Sequence, residues 1–175
     1  MAENVATVRC ERDKAIATLT LDNAARHNAL GQAELDALSV QLDKLAADDS
    51  LRVLVLRGAG EKTFCAGAAL DQLDGVNFDG DSFARVTQRL AELAIPTVCA
   101  LNGNVFGAGV DLALACDFRI GLEGTRMRVP AAAIGACYPP ASVQRIVAQL
   151  GVAAARRLLL AAEIFDDQLM LEHGF

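Results

Sequence analysis

Two small-residue turns hold the groups most able to stabilise a developing negative charge. The first is Phe64-Cys65-Ala66-Gly67-Ala68-Ala69-Leu70, the second Asn102-Gly103-Asn104-Val105-Phe106-Gly107-Ala108-Gly109. Each follows an apolar, strand-like run and opens a segment that can be helical. Small side chains let a ligand come close to the main chain. Two N–H groups aimed at one point make an anion hole. On its own, either turn reads equally well as close packing between a strand and a helix.

Asp111 is the acidic residue that stands out. It lies in a run otherwise made of Val110, Leu112, Ala113, Leu114 and Ala115. A carboxylate among such neighbours is costly unless it is paired or used. Tyr138, before Pro139-Pro140, is either a hydrogen-bond donor or acid, or an ordinary turn aromatic. Other chemistries fit less well. Gly103, Gly107 and Gly109, with Glu123 downstream, look like a dinucleotide fingerprint. That motif here lies mid-chain, after a hairpin and two strand–helix units, and Tyr138 is followed four positions on by Ser142 rather than Lys. A hydrolase triad would have to draw on Ser39, Ser50, Ser82 or Ser142 with His27 or His173, and none of these serines lies in G-x-S-x-G. No metal-ligand spacing is present.

The elements that must position these residues follow from periodicity. Residues 6–12 and 15–21 alternate around Asp13-Lys14 and predict a hairpin. Residues 22–29 read as a polar loop. Leu35, Leu38, Leu42 and Leu45 mark one face of a helix over 32–47. Strands are predicted at 53–56, 97–101, 118–122 and 127–129. Helices are predicted at 83–93, 107–115, 142–150 and 152–162, the last two separated by Gly151, with a final helix capped by Asp166. Residues 75–81 read as a mobile loop. Helices and strands alternate throughout, which argues an α/β fold.

Composition narrows the class. At 175 residues the chain fits a single domain with a sizeable core. Its apolar content of 53% argues against disorder. A net charge of −6 argues against a nucleic-acid partner. No apolar run reaches the ~20 residues of a membrane helix, and no leader pattern opens the chain. The five cysteines are odd in number and form no C-x-x-C. A cytoplasmic protein with reduced, buried thiols is expected.

Taken together, these segments resemble the crotonase (enoyl-CoA hydratase/isomerase) superfamily. Leu21-Asp22-Asn23 through Arg26-His27-Asn28-Ala29-Leu30 is similar to the L-x-x-P-x-x-x-N-A-L segment of that family. Ala66-Gly67-Ala68-Ala69-Leu70 is similar to its A-G-x-D-L turn, with Ala69 in place of Asp. Asn102-Gly103 with Gly107-Ala108-Gly109 and Asp111 fits its second turn, and Ala115-Cys116-Asp117-Phe118-Arg119-Ile120 fits A-C-D-x-R-I. The resemblance implies a crotonase/ClpP-like spiral of repeated ββα units with two nearly perpendicular sheets. It also implies that the C-terminal helical part is shortened or missing, and that the chain forms a homotrimer or hexamer. The implied ligand is an acyl-CoA thioester, with coenzyme A arriving as part of the substrate and no separate cofactor or metal.

Residue by residue, the resemblance makes Ala68 and Ala108 the two N–H donors to the thioester oxygen. It puts CoA contacts at Arg26, His27 and Ala29, at Ala66, Ala69 and Leu70, and at Phe106 and Gly107. Asp111 stands where hydratases carry one of two catalytic Glu residues. The second Glu would follow Pro130, where this chain has Ala131. Simple hydration is therefore not expected, whereas stabilisation of an enolate is. Decarboxylation or other enolate chemistry, with Tyr138 as substitute acid, is one alternative. A non-catalytic acyl-CoA-binding subunit is another.

Overall fold

The computed structural model describes residues 7–69 and 80–175. The alternating segments form the expected hairpin, β1 (Thr7–Asp13) and β2 (Ile16–Asp22), with Lys14 turned into the left-handed region. Ala17, Leu19 and Leu21 point inward from β2. After a 3-10 turn at Ala24–Arg26, helix α1 (Gln32–Ala46) buries its four leucines as the spacing predicted. Burying each is worth about 1.5–3 kcal/mol. Glu34 reaches back to the N–H of Gly31 at 2.9 Å, satisfying one donor that the helix start leaves open.

Two sheets organise the rest. One has five strands in the order β1, β2, β3 (Val53–Gly58), β5 (Thr97–Leu101) and β7 (Phe118–Gly121). The other has three parallel strands, β4 (Thr63–Cys65), β6 (Asn104–Phe106) and β8 (Met127–Arg128). The chain visits the large sheet, then the small one, then a helix, three times over. The helices are α2 (Gly80–Ala91), α3 (Ala108–Leu114) and α4 (Pro140–Leu159). This is the spiral of ββα units that the resemblance implied. A short α5 (Asp167–Glu172) follows, capped by Asp166, whose carboxylate accepts from the Leu169 N–H at 2.9 Å. No helix among the described residues is long and apolar enough to cross a membrane.

Several expectations need correction. β4 and β6 were read as parts of turns; at three residues each they are too short to show alternation. Helix α2 spans 80–91 rather than 83–93. The loop expected over 75–81 lies outside the described residues up to position 79, and Gly80 and Asp81 already belong to α2. Gly151 does break α4, with φ 80° and ψ 160°.

The loop before α1 is held by one side chain. Asn28 is 1% exposed and sits at φ 55°. Its Oδ1 accepts from the Asn23 N–H at 3.0 Å, and its Nδ2 donates to the carbonyls of Ala59 (3.0 Å) and Thr63 (2.8 Å). Asn102 ties the same turn from the other side. It accepts from the Gly58 N–H at 2.9 Å and donates to the Gly60 carbonyl at 2.7 Å. Each buried partner left unsatisfied costs about 1–3 kcal/mol, so Asn28→Ala should lower unfolding stability by at least about 2 kcal/mol. Urea denaturation measures this; a loss below about 0.5 kcal/mol would show the network to be dispensable.

Cys65, Cys99 and Cys116 are buried, whereas Cys10 and Cys137 are exposed. Burial pushes the Cys65 thiol up to about 12, opposed only by the Gly67 N–H, and pushes Cys99 well above the usual thiol range. Only thiolates react readily. An aromatic disulfide reagent should therefore titrate two thiols in the native protein and five after unfolding.

Candidate functional site

The two glycine turns lie against each other. At Gly67 (φ 87°) a Cβ would fall 2.6 Å from the Ala108 nitrogen and 3.0 Å from the Phe106 carbonyl oxygen. Any larger residue would push the turns apart and would also be strained at that φ. At Gly109 a Cβ would fall 2.6 Å from the Cys65 carbonyl oxygen, so α3 packs its first turn directly on the end of β4.

Most amides of these turns are committed. The Ala66 N–H donates to the His27 carbonyl (3.0 Å) and Ala69 to Leu30 (2.9 Å), while Leu30 donates to Gly67 (2.8 Å). Gly67 itself donates to the Cys65 sulfur at 3.3 Å. In the second turn Gly107 donates to Arg128 at 2.9 Å. Among the described residues, the N–H groups of Ala68 and Ala108 have no hydrogen-bond acceptor.

Both alanines line one cavity of about 290 Å³. Ala66, Phe106, Gly107, Asp111 and Tyr138 line it as well, so seven of the residues singled out from the sequence meet there. Phe83 and Ile134 add apolar wall, and Ala131 stands where a second carboxylate was looked for. The remaining residues lie elsewhere. Arg26 is exposed on its 3-10 turn. His27 is exposed, with Nδ1 3.0 Å from the Thr63 hydroxyl, and lines a separate cleft with Lys62 and Gly60. Ala29 donates its N–H to the Arg26 carbonyl at 3.1 Å, and Ala69 is buried behind the turn. Leu70 lies outside the described residues.

Asp111 is 1% exposed and has a partner on each carboxylate oxygen. The Ser142 hydroxyl donates to Oδ2 at 2.6 Å, and Arg145 forms an ion pair with Oδ1. The Arg145 side chain is 12% exposed and also reaches the Gln88 amide oxygen at 3.5 Å. Both partners come from α4 and were not identified from the sequence. They lie more than thirty residues downstream, and only their three-residue spacing, which puts both on one helix face, hints at a shared target. Tyr138 carries a buried hydroxyl with no partner among the described residues. Burial above all, then the Asp111 charge and Cys65, pushes its phenol well above the usual range, so it remains a neutral donor. No cluster of three metal-ligating side chains occurs among the described residues.

Residues 11–175 match the profile of the family described as enoyl-CoA hydratase/isomerase. Mouse methylglutaconyl-CoA hydratase is 28% identical over 163 residues, which cover 90% of this chain and 52% of that protein. A probable enoyl-CoA hydratase of Mycobacterium tuberculosis is 34% identical over 169 residues, covering 92% and 65%. The crystal structure of an enoyl-CoA hydratase from Bacillus anthracis superposes with a TM-score of 0.88 at 29% identity, over 96% of this chain and 67% of that one. The chain thus spans about half to two thirds of the length of the curated relatives it matches. The matched profile, the shared fold and the paired glycine turns place the chain in the enoyl-CoA hydratase/isomerase (crotonase) family.

Proposed function

We propose that this chain binds an acyl-CoA thioester in the 290 Å³ cavity, with the thioester oxygen between the Ala68 and Ala108 N–H groups, and that it stabilises the enolate of that thioester. The observation that carries this reading is the pair of N–H groups without acceptors among the described residues, on touching turns that open on one apolar cavity. Negative charge moves onto the thioester oxygen as the enolate forms. Each preorganised donor there is typically worth about 3 kcal/mol in the transition state. Coenzyme A enters as part of the substrate, and Arg26, His27 and Ala29 lie on the loop that would meet its nucleotide end.

Hydration of an enoyl-CoA calls for two groups, one to activate water and one to handle the α-proton. Asp111 is the one carboxylate among the described lining residues, and Ala131 supplies no second. We therefore assign to Asp111 the movement of a single proton at the acyl chain, with the neutral Tyr138 hydroxyl as a further donor on the cavity wall. A second reading, binding without turnover, is favoured by the pairing of Asp111. With Ser142 and Arg145 on its two oxygens, its burial is explained without catalysis. Assembly into trimers or hexamers, as the family resemblance implies, belongs to the same proposal. Light scattering tests it; a monomer at high concentration refutes it.

Calorimetry with a saturated acyl-CoA should show binding, with the free acid binding far more weakly. Equal affinity for the two, or binding of NAD in their place, would refute the site. The native chain should hydrate crotonyl-CoA poorly, and Ala131→Glu should raise that rate. An acid–base group contributes roughly 10²–10⁴-fold, so any native turnover should fall by that order in Asp111→Asn. Efficient native hydration unaffected by Asp111→Asn would show that the proton carrier lies elsewhere.

A further inference from the structure

The cavity wall carries one charged side chain among the described residues, Asp111, and that charge is already balanced. Arg145 forms an ion pair with Oδ1 from one side, and the Ser142 hydroxyl donates to Oδ2 from the other. Arg145 itself does not line the cavity; its guanidinium lies directly behind the carboxylate that does. No lysine, arginine or histidine is present among the described lining residues. A carboxylate entering this cavity would lose its water, find no cation among the described lining residues, and share the wall with Asp111. Burying an ion under those conditions is strongly unfavourable.

From this arrangement we propose that Asp111 sets acyl specificity by keeping Arg145 paired. It holds the Arg145 guanidinium behind the wall and restricts the site to uncharged acyl groups, rejecting thioesters whose acyl chain ends in a second carboxylate. The inference rests on the acyl-CoA reading of the cavity and names the class of acyl group it takes. The two halves of the pair play opposite parts. Asp111 keeps Arg145 occupied, and Arg145 is the group that would welcome an acyl carboxylate if released. Asp111 is the specificity-determining residue at the wall, and Arg145 acts through it.

The experiment is a comparison of hexanoyl-CoA and adipyl-CoA, equal in carbon number and different in terminal charge, by calorimetry on the same protein preparations. A ratio measured on one preparation is insensitive to a misfolded fraction. The native chain should favour hexanoyl-CoA by roughly tenfold or more. Asp111→Asn keeps the shape and removes the negative charge, leaving Arg145 without its counter-ion, and should lower that preference by roughly tenfold or reverse it. Arg145→Met should give adipyl-CoA no such gain, and the double variant should discriminate as the native chain does. Equal native affinity for the two thioesters overturns this proposal and leaves the acyl-CoA reading standing; that measurement needs no variant to fold. An unchanged ratio in Asp111→Asn, or the same gain in Arg145→Met, also overturns it. Failure of the native chain to bind either thioester overturns the acyl-CoA reading, and this inference with it.

Discussion

The close approach of two backbones governs the rest of this molecule. At Gly67 and Gly107 the ends of β4 and β6 come together with no side chain between them, and a Cβ at Gly67 would sit inside the contact distance of the Ala108 nitrogen. Parallel pairing of β4 with β6 sets the two turns side by side. The polar loop before α1 then fastens the first turn through three main-chain hydrogen bonds, from Ala66 to His27, from Leu30 to Gly67 and from Ala69 to Leu30. The Ala69 N–H is used in one of these bonds and the Gly67 N–H goes to the Cys65 sulfur, while the Ala68 N–H between them has no acceptor among the described residues. Gly107 is anchored to β8 in the same way, and the Ala108 N–H that follows has no acceptor among the described residues. The two free donors thus follow from how the neighbouring amides are used.

That arrangement depends on a buried small-residue helix. α3 can bring Ala108 to Gly67 because Gly109 lets it rest on the Cys65 carbonyl. The rest of the helix is sheathed in the core from Gly109 to Leu114. A helix enclosed on all sides gains its stability from packing rather than from an amphipathic stripe. Asp111 is the polar group in that helix. Its pairing with Ser142 and Arg145 joins α3 to α4 beside the cavity, so one set of bonds both satisfies a buried charge and positions the cavity wall.

Much of this was legible in the chain, and the parts that were not have physical reasons. The leucine stripe of α1, the hairpin, the buried strands β3 and β5, the break at Gly151 and the cap at Asp166 all rest on local periodicity or local hydrogen bonding, which a sequence displays directly. The turns were legible as runs of small residues. The strands β4 and β6 were not, because three residues carry too little alternation to register as strands. The role of Asn28 was hidden as well. A buried asparagine at positive φ that ties Asn23 to Ala59 and Thr63 is defined by the last two, tertiary partners more than thirty residues away. The same holds for Ser142 and Arg145, whose meaning depends on where α4 lies over α3.

Asp111 shows how two explanations of one observation separate only at the level of packing. Its burial among aliphatic residues demanded either a partner or a use, and sequence cannot distinguish them. The structure supplies two partners, which removes burial as an argument for catalysis and leaves position as the argument that remains. The carboxylate still lines the cavity one helical turn from the Ala108 N–H. A carboxylate has roughly four acceptor directions, so two hydrogen-bonded partners do not exhaust it. Its charge, however, is already matched by Arg145, which makes it a weaker attractor for a cation and fixes its orientation at the wall. The balance between a structural brace and a proton carrier therefore turns on one guanidinium just behind the cavity wall.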